Sequence, residues 1–168
     1  EDFKKVAIKT NEEWAKKFDI NPASAITCVK PSGTVSQLCD SSSGIHARHS
    51  DYYIRRVRMD RKDPLAKFME EKGFPCEKDV VNNSTKVFSF PMRSPDRSVK
   101  RDEMDAIQQL NTWQLYSNCW CEHKPSVTIS VKEEEWIDVG AWVYDNFDAA
   151  SGISFLPHSD HVYQQAPY

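Results

Sequence analysis

Seven residues, Lys30-Pro31-Ser32-Gly33-Thr34-Val35-Ser36, gather three hydroxyls around one glycine directly after the β-prone run Ser24-Ala25-Ile26-Thr27-Cys28-Val29. A chain that leaves a strand here and starts a helix at Thr34 or Val35 exposes backbone N–H groups with no intrahelical partner, along with the positive end of the helix dipole. Gly33 permits close backbone approach, and Ser32, Thr34 and Ser36 add hydroxyl donors. The segment is therefore suited to hold an anion such as phosphate. It is not a Walker loop, because the two spaced glycines followed by Lys and Ser or Thr are missing, and no glycine triplet of the dinucleotide type occurs. The competing reading is an ordinary strand-to-helix turn with a Ser or Thr cap.

Three other clusters carry reactive residue types. Ser41-Ser42-Ser43-Gly44-Ile45-His46-Ala47-Arg48-His49 holds two imidazoles and a guanidinium. Its histidines, three apart, could share a helical face and bind a metal, but only Cys39 and Asp40 stand nearby to complete a ligand set. A substrate-lining loop or a solvent-facing turn fits that stretch better, and no metal site is expected. Cys119-Trp120-Cys121 is too closely spaced for an easy disulfide and lacks the second pair that a zinc site needs, so it reads as two ordinary thiols. His158-Ser159-Asp160-His161 follows an apparent strand, at the end where α/β proteins place ligands.

The elements that position these residues alternate in type. Residues 2–18 carry apolar side chains at partly helical spacing before Asn21-Pro22. Strands are expected at 24–29, 52–59, 86–91, 126–131 and 152–157, on β-branched and aromatic content. Helices are expected at 64–72, closed by Gly73, and at about 101–116, with Asp96 or Ser98 as cap and Met104, Ile107, Leu110, Trp113 and Leu115 facing a core. A further helix at 133–147 would turn Trp136, Val139, Val143 and Phe147 inward. This pattern predicts an α/β fold with largely parallel pairing and no internal domain boundary.

Composition narrows the function classes. A hydrophobic fraction of 39%, a charged fraction of 28% and five Trp in 168 residues describe an ordinary folded protein rather than a disordered one. The net charge of −3 argues against a general nucleic-acid binder, and the basic run Arg55-Arg56-Val57-Arg58 reads as a solvated strand edge or ion-pairing face. No apolar run approaches the roughly 20 residues that span a bilayer, and the N-terminus has no apolar signal region, so a soluble cytoplasmic protein is expected. Five cysteines, an odd number, fit a reducing compartment. The first residue, Glu1, and the last, Gln164-Gln165-Ala166-Pro167-Tyr168, read as a piece cut from a longer chain.

Several of these stretches, in this order, resemble a known family. Lys30-Pro31-Ser32-Gly33-Thr34-Val35-Ser36-Gln37-Leu38, Ser42-Ser43-Gly44-Ile45-His46 and Tyr52-Tyr53-Ile54-Arg55-Arg56-Val57-Arg58 are similar to the C-terminal half of the catalytic barrel of ribonucleotide reductases. Pro125-Ser126-Val127-Thr128-Ile129-Ser130-Val131 and Gly152-Ile153-Ser154-Phe155-Leu156-Pro157-His158-Ser159-Asp160-His161, ending Gln165-Ala166-Pro167-Tyr168, resemble later strands of the adenosylcobalamin-dependent branch. The resemblance covers the chain from about residue 22 to its end.

It implies a single segment, residues 1–168, of a ten-stranded α/β barrel. Pro31, Ser32, Gly33, Thr34, Val35 and Ser36 would bind the phosphates of a ribonucleoside di- or triphosphate, and Ser43, Gly44 and His46 would line the substrate. It also implies homolysis of the cobalt–carbon bond of adenosylcobalamin, a thiyl radical that abstracts the ribose 3′ hydrogen, and a cysteine pair that supplies electrons as the 2′ hydroxyl leaves. The partners would be the rest of the reductase chain and a thioredoxin-type reductant. The family's Asn-Pro-Cys-Gly-Glu stretch is absent here, so the radical cysteine would lie upstream and the tail cysteines downstream, and the chain alone should be inactive. The alternative is a non-catalytic nucleotide-binding or assembly module built on the same barrel half.

Overall fold

The computed structural model describes residues 2–158 together with Gln165 and Ala166. In chain order its elements are α1 (Asp2–Phe18), α2 (Val35–Leu38), β1 (Tyr52–Asp60), α3 (Pro64–Glu71), β2 (Cys76–Lys78), β3 (Thr85–Arg93), α4 (Ala106–Cys119), β4 (Val127–Val131), α5 (Trp136–Asp145) and β5 (Ile153–Pro157). Single 3-10 turns occupy Arg101–Glu103 and Glu133–Glu135. The chain divides into two compact units, one of Glu1–Ala47 and Arg101–His158 and the other of Arg48–Lys100 and Ser159–Tyr168.

In the first unit β4 and β5 pair in parallel, from Val127 opposite Ile153 to Val131 opposite Pro157, with α5 in the crossover between them. Successive strand residues point to opposite faces, and β4 shows it: Val127, Ile129 and Val131 are buried while Thr128 and Ser130 are only half-buried. The buried row packs with Ala106, Leu110 and Trp113 of α4 and Val139 of α5. Trp113 is fully buried, yet its indole N–H donates to the Pro125 carbonyl at 3.0 Å, so its one polar atom is satisfied. Its ring meets Trp142 edge-on at 6.3 Å.

Helix α4 starts where the chain can satisfy its first amides. Asp105 accepts from the Gln108 N–H at 2.6 Å, the Gln108 side chain accepts from the Asp105 N–H at 3.1 Å, and Glu135 accepts from the Ala106 N–H. The cap is therefore Asp105 and not Asp96 or Ser98, and Arg101–Glu103 forms a separate 3-10 turn. Leu115 at 61% and Phe147 at 73% exposure lie outside the core that their spacing predicts, and Trp136 is also exposed.

In the second unit three antiparallel strands run in the order β1-β3-β2, with Tyr52 opposite Arg93 and Cys76 opposite Phe88. Ala66 and Met69 of α3 pack on Phe88. Asp63 caps α3 by accepting from the Leu65 N–H, Pro64 opens its first turn, and Gly73, at φ +78°, follows its end. The expectation of largely parallel pairing thus holds for β4 and β5 alone. Residues 79–84 link β2 to β3 and are too few for the dozen-residue crossover that parallel strands need.

Strand 24–29 is also absent, since Ser24 lies in a bend and 25–29 join no ladder. The α/β class stands, but the described strands form two sheets, of three and two strands, and a ten-stranded barrel is not among them. No helix among the described residues is long and apolar enough to cross a membrane.

Candidate functional site

The hydroxyl-rich loop belongs to the first unit, and what holds its approach is a carboxylate. Glu122 accepts from the Ile26 N–H at 2.9 Å and the Thr27 N–H at 3.1 Å, while its own N–H donates to the Thr27 carbonyl at 2.8 Å. Buried Thr27 adds a hydroxyl bond to the Trp120 carbonyl. These bonds replace the strand ladder that the β-prone composition of 24–29 predicts. The Ile26 amide, followed by that of Thr27, holds the Glu122 carboxyl below its ordinary range.

Within the loop the donors divide into two groups. The Ser36 N–H donates to the Ser32 hydroxyl at 3.0 Å and the Ser36 hydroxyl returns a bond to the Ser32 carbonyl, so Ser36, buried at 3% exposure, is committed to the turn itself. The Ser32 N–H donates to Ser43 Oγ at 3.1 Å. Pro31 has no N–H to offer. By contrast Gly33, Thr34 and Val35 are exposed, the Thr34 hydroxyl makes no capping bond, and a side-chain carbon at Gly33 would meet nothing within 4 Å. α2 is a single turn of four residues, so amides and hydroxyls rather than a helix dipole are what this loop can present to an anion.

The second sequence cluster backs the first. Gly44 sits at φ +64°, and a side-chain carbon on it would stand 3.3 Å from the Pro31 Cα. His46 Nδ1 lies 2.6 Å from the Ser43 carbonyl, and the Thr128 N–H donates to His46 Nε2 at 3.0 Å. Thr128, at the start of β4, drew no notice in the sequence because it is 82 residues away and no local pattern marks it. His49 lies in the other unit, edge-on to Tyr53 at 6.1 Å.

Elsewhere in the first unit, His158 Nε2 stands 3.1 Å from Asp102, and that hydrogen bond leads the causes holding the Asp102 carboxyl below its ordinary range. Asp102 was not foreseen either, being 56 residues from its partner. Ser159, Asp160 and His161 lie outside the described residues. Cys119 and Cys121 are free thiols, as their spacing predicts, and burial pushes the Cys121 thiol up. In the second unit the basic run is used internally: Arg58 pairs with buried Asp79 at 2.7 Å, and Arg58 and Arg56 donate to the carbonyls of Gln165 and Ala166.

Two parallel strands with their crossover helix, beside a polar turn in which Gly33, Thr34 and Val35 are exposed, describe an α/β protein. Comparison with known proteins is more specific. No family model matches the chain. It is 27% identical over 164 residues to the adenosylcobalamin-dependent ribonucleoside-triphosphate reductase of Levilactobacillus brevis, covering 95% of this chain and 22% of that protein. It is likewise 27% identical over 167 residues to that of Lactobacillus acidophilus, and 26% identical over 167 residues to that of Lactobacillus leichmannii. The crystal structure of a B12-dependent, class II ribonucleotide reductase superposes with a TM-score of 0.79 and 26% identity over 98% of this chain and 23% of that one. The family resemblance carried by the motifs is thus borne out in sequence and in structure, and the chain spans less than a quarter of the length of the relatives it matches.

Proposed function

We propose that this chain is part of an adenosylcobalamin-dependent ribonucleoside-triphosphate reductase, from the C-terminal half of its catalytic barrel, and that its loop at 31–36 holds the phosphates of the substrate. The observation that carries the reading is the division of labour in the loop. Ser32 and Ser36 bond each other and Ser32 also bonds Ser43, while the residues Gly33, Thr34 and Val35 are exposed beside them. A phosphate is held by exposed loop amides and hydroxyls that no side chain shields. The turn of Ser43, Gly44 and His46 closes that end of the substrate site.

An open groove of about 600 Å³ runs along α1 beside Trp14, Phe18 and Ile20, and no group of three His, Cys, Asp or Glu able to hold a metal by itself occurs among the described residues. The full-length reductase would bind adenosylcobalamin, carry the radical cysteine upstream of this segment and meet a thioredoxin-type reductant. A cytoplasmic setting, in which thiols stay reduced, agrees with five free cysteines.

Gly33→Val in the complete reductase tests the loop. The backbone at Gly33 is not left-handed and the space around it is open, so valine should leave the fold intact while standing where a phosphate would approach. The expected result is an unchanged melting temperature with loss of affinity for inorganic triphosphate and for the nucleotide. Unchanged affinity would remove the loop from the substrate site.

A further inference from the structure

We propose that His46 is a positioning residue, locked in one tautomer, that ties the phosphate loop to strand β4; the proposal rests on the reading of 31–36 as that loop. Both ring nitrogens are engaged. A backbone amide can only donate, so the Thr128 N–H at 3.0 Å requires Nε2 to be the bare nitrogen. The proton is then on Nδ1, where it donates to the Ser43 carbonyl at 2.6 Å. In this tautomer the ring bridges the 43–46 turn to the second residue of β4, a strand whose neighbouring residues Val127 and Ile129 are core.

The turn passes that constraint to the loop by two contacts. Ser43 Oγ takes the Ser32 N–H at 3.1 Å, which fixes the residue whose hydroxyl in turn holds the Ser36 N–H. Gly44, at φ +64°, lies so close to the Pro31 and Lys30 backbone that a side-chain carbon there would stand 3.3 Å from the Pro31 Cα. The order of support therefore runs from β4 through His46, Ser43 and Ser32 to the exposed Gly33, Thr34 and Val35. With its two nitrogens occupied the ring has no donor left for substrate, so it acts through the loop and not on the nucleotide.

The experiment uses the complete reductase chain with His46→Ala and His46→Gln, reading KM and kcat for a ribonucleoside triphosphate and the inhibition constant of inorganic triphosphate. Glutamine can still accept the Thr128 amide, so it keeps the strand tie if alanine fails to fold. Loss of the bridge should raise KM and weaken inorganic triphosphate in parallel, by about tenfold for alanine and less for glutamine, with kcat nearly held. A fall in kcat at constant KM would overturn the proposal by placing His46 in the chemistry, and no change in either constant would overturn it by removing the bridge from function. Gly33→Val, run alongside, separates the two claims. If it leaves inorganic triphosphate binding intact, the loop reading fails; if it abolishes binding while both His46 variants bind as wild type, only the positioning role fails.

Discussion

Gly152 and Gly33 show how one residue type serves opposite ends in this chain. At Gly152 φ is +69°, and a side-chain carbon would stand 2.9 Å from the Pro125 carbonyl oxygen, closer than such a carbon comes to a backbone oxygen without something shifting. That approach brings the Val127 N–H to the Gly152 carbonyl at 3.0 Å and so starts the β4–β5 pairing. At Gly33 the backbone is not left-handed, and an added side-chain carbon would meet nothing within 4 Å. Gly152→Ala should therefore cost roughly 1–3 kcal/mol through backbone strain. Gly33→Ala should cost little, because its Cβ enters open space. Thermal or urea unfolding of the two variants checks the contrast, and equal stabilities would mean that β5 does not begin against Pro125. His46 makes the same point for a chemical side chain: its type suggested substrate contact, but its bonds to Ser43 and Thr128 give it a place inside the protein.

Among the elements, the 24–29 run depends on one carboxylate, and that gives it a pH dependence of definite sign. Glu122 titrates at an ordinary value of 4.5 when free and lower in the fold, because the Ile26 and Thr27 amides favour its charged form. A depressed carboxyl contributes stability that is complete above its unfolded value and is lost as pH falls through its folded value. Glu122→Gln should then lower the melting temperature most near neutral pH, with the gap to wild type closing below pH 4.5. A gap that stays constant down the acid range would show that the charge is not what holds the segment. The same segment marks the limit of what could be read from sequence. Local composition located β1, β3, β4 and β5 to within a few residues, since side-chain alternation and turn residues act over short spans. It placed a strand at 24–29 because Ile26, Thr27 and Val29 favour one, whereas the partner that decided the outcome lies some 95 residues on. The cap of α4 was misplaced for a related reason: Asp96, Ser98 and Asp105 all precede the helix, and only the reciprocal bond from Gln108 selects the third. At the 31–36 loop, sequence could not divide Ser36, spent on Ser32, from Thr34, which is exposed.

For the molecule as a whole, its five free thiols report which parts are closed. Cys28 and Cys39, flanking the loop region, are exposed; Cys76 and Cys119 are half-buried; Cys121 is buried. Only the thiolate reacts at an appreciable rate, so access and charge act together. For Cys121 both oppose reaction, because burial raises its pKa above the ordinary 9.0, and the nearby Cys28 adds to that rise while Lys4 opposes it. Timed alkylation of the native protein at neutral pH, followed by peptide mass analysis, should label Cys28 and Cys39 first, Cys76 and Cys119 later and Cys121 last. Denaturant should abolish the order. Glu122→Gln should speed Cys121 selectively, since the Thr27 bonds to Trp120 and Glu122 bracket that thiol on both sides. If Cys121 were labelled as fast as Cys28 in the native protein, the 26–29 segment would not be closed over 120–122, and the support drawn from Glu122 to the start of the 31–36 loop would fail with it.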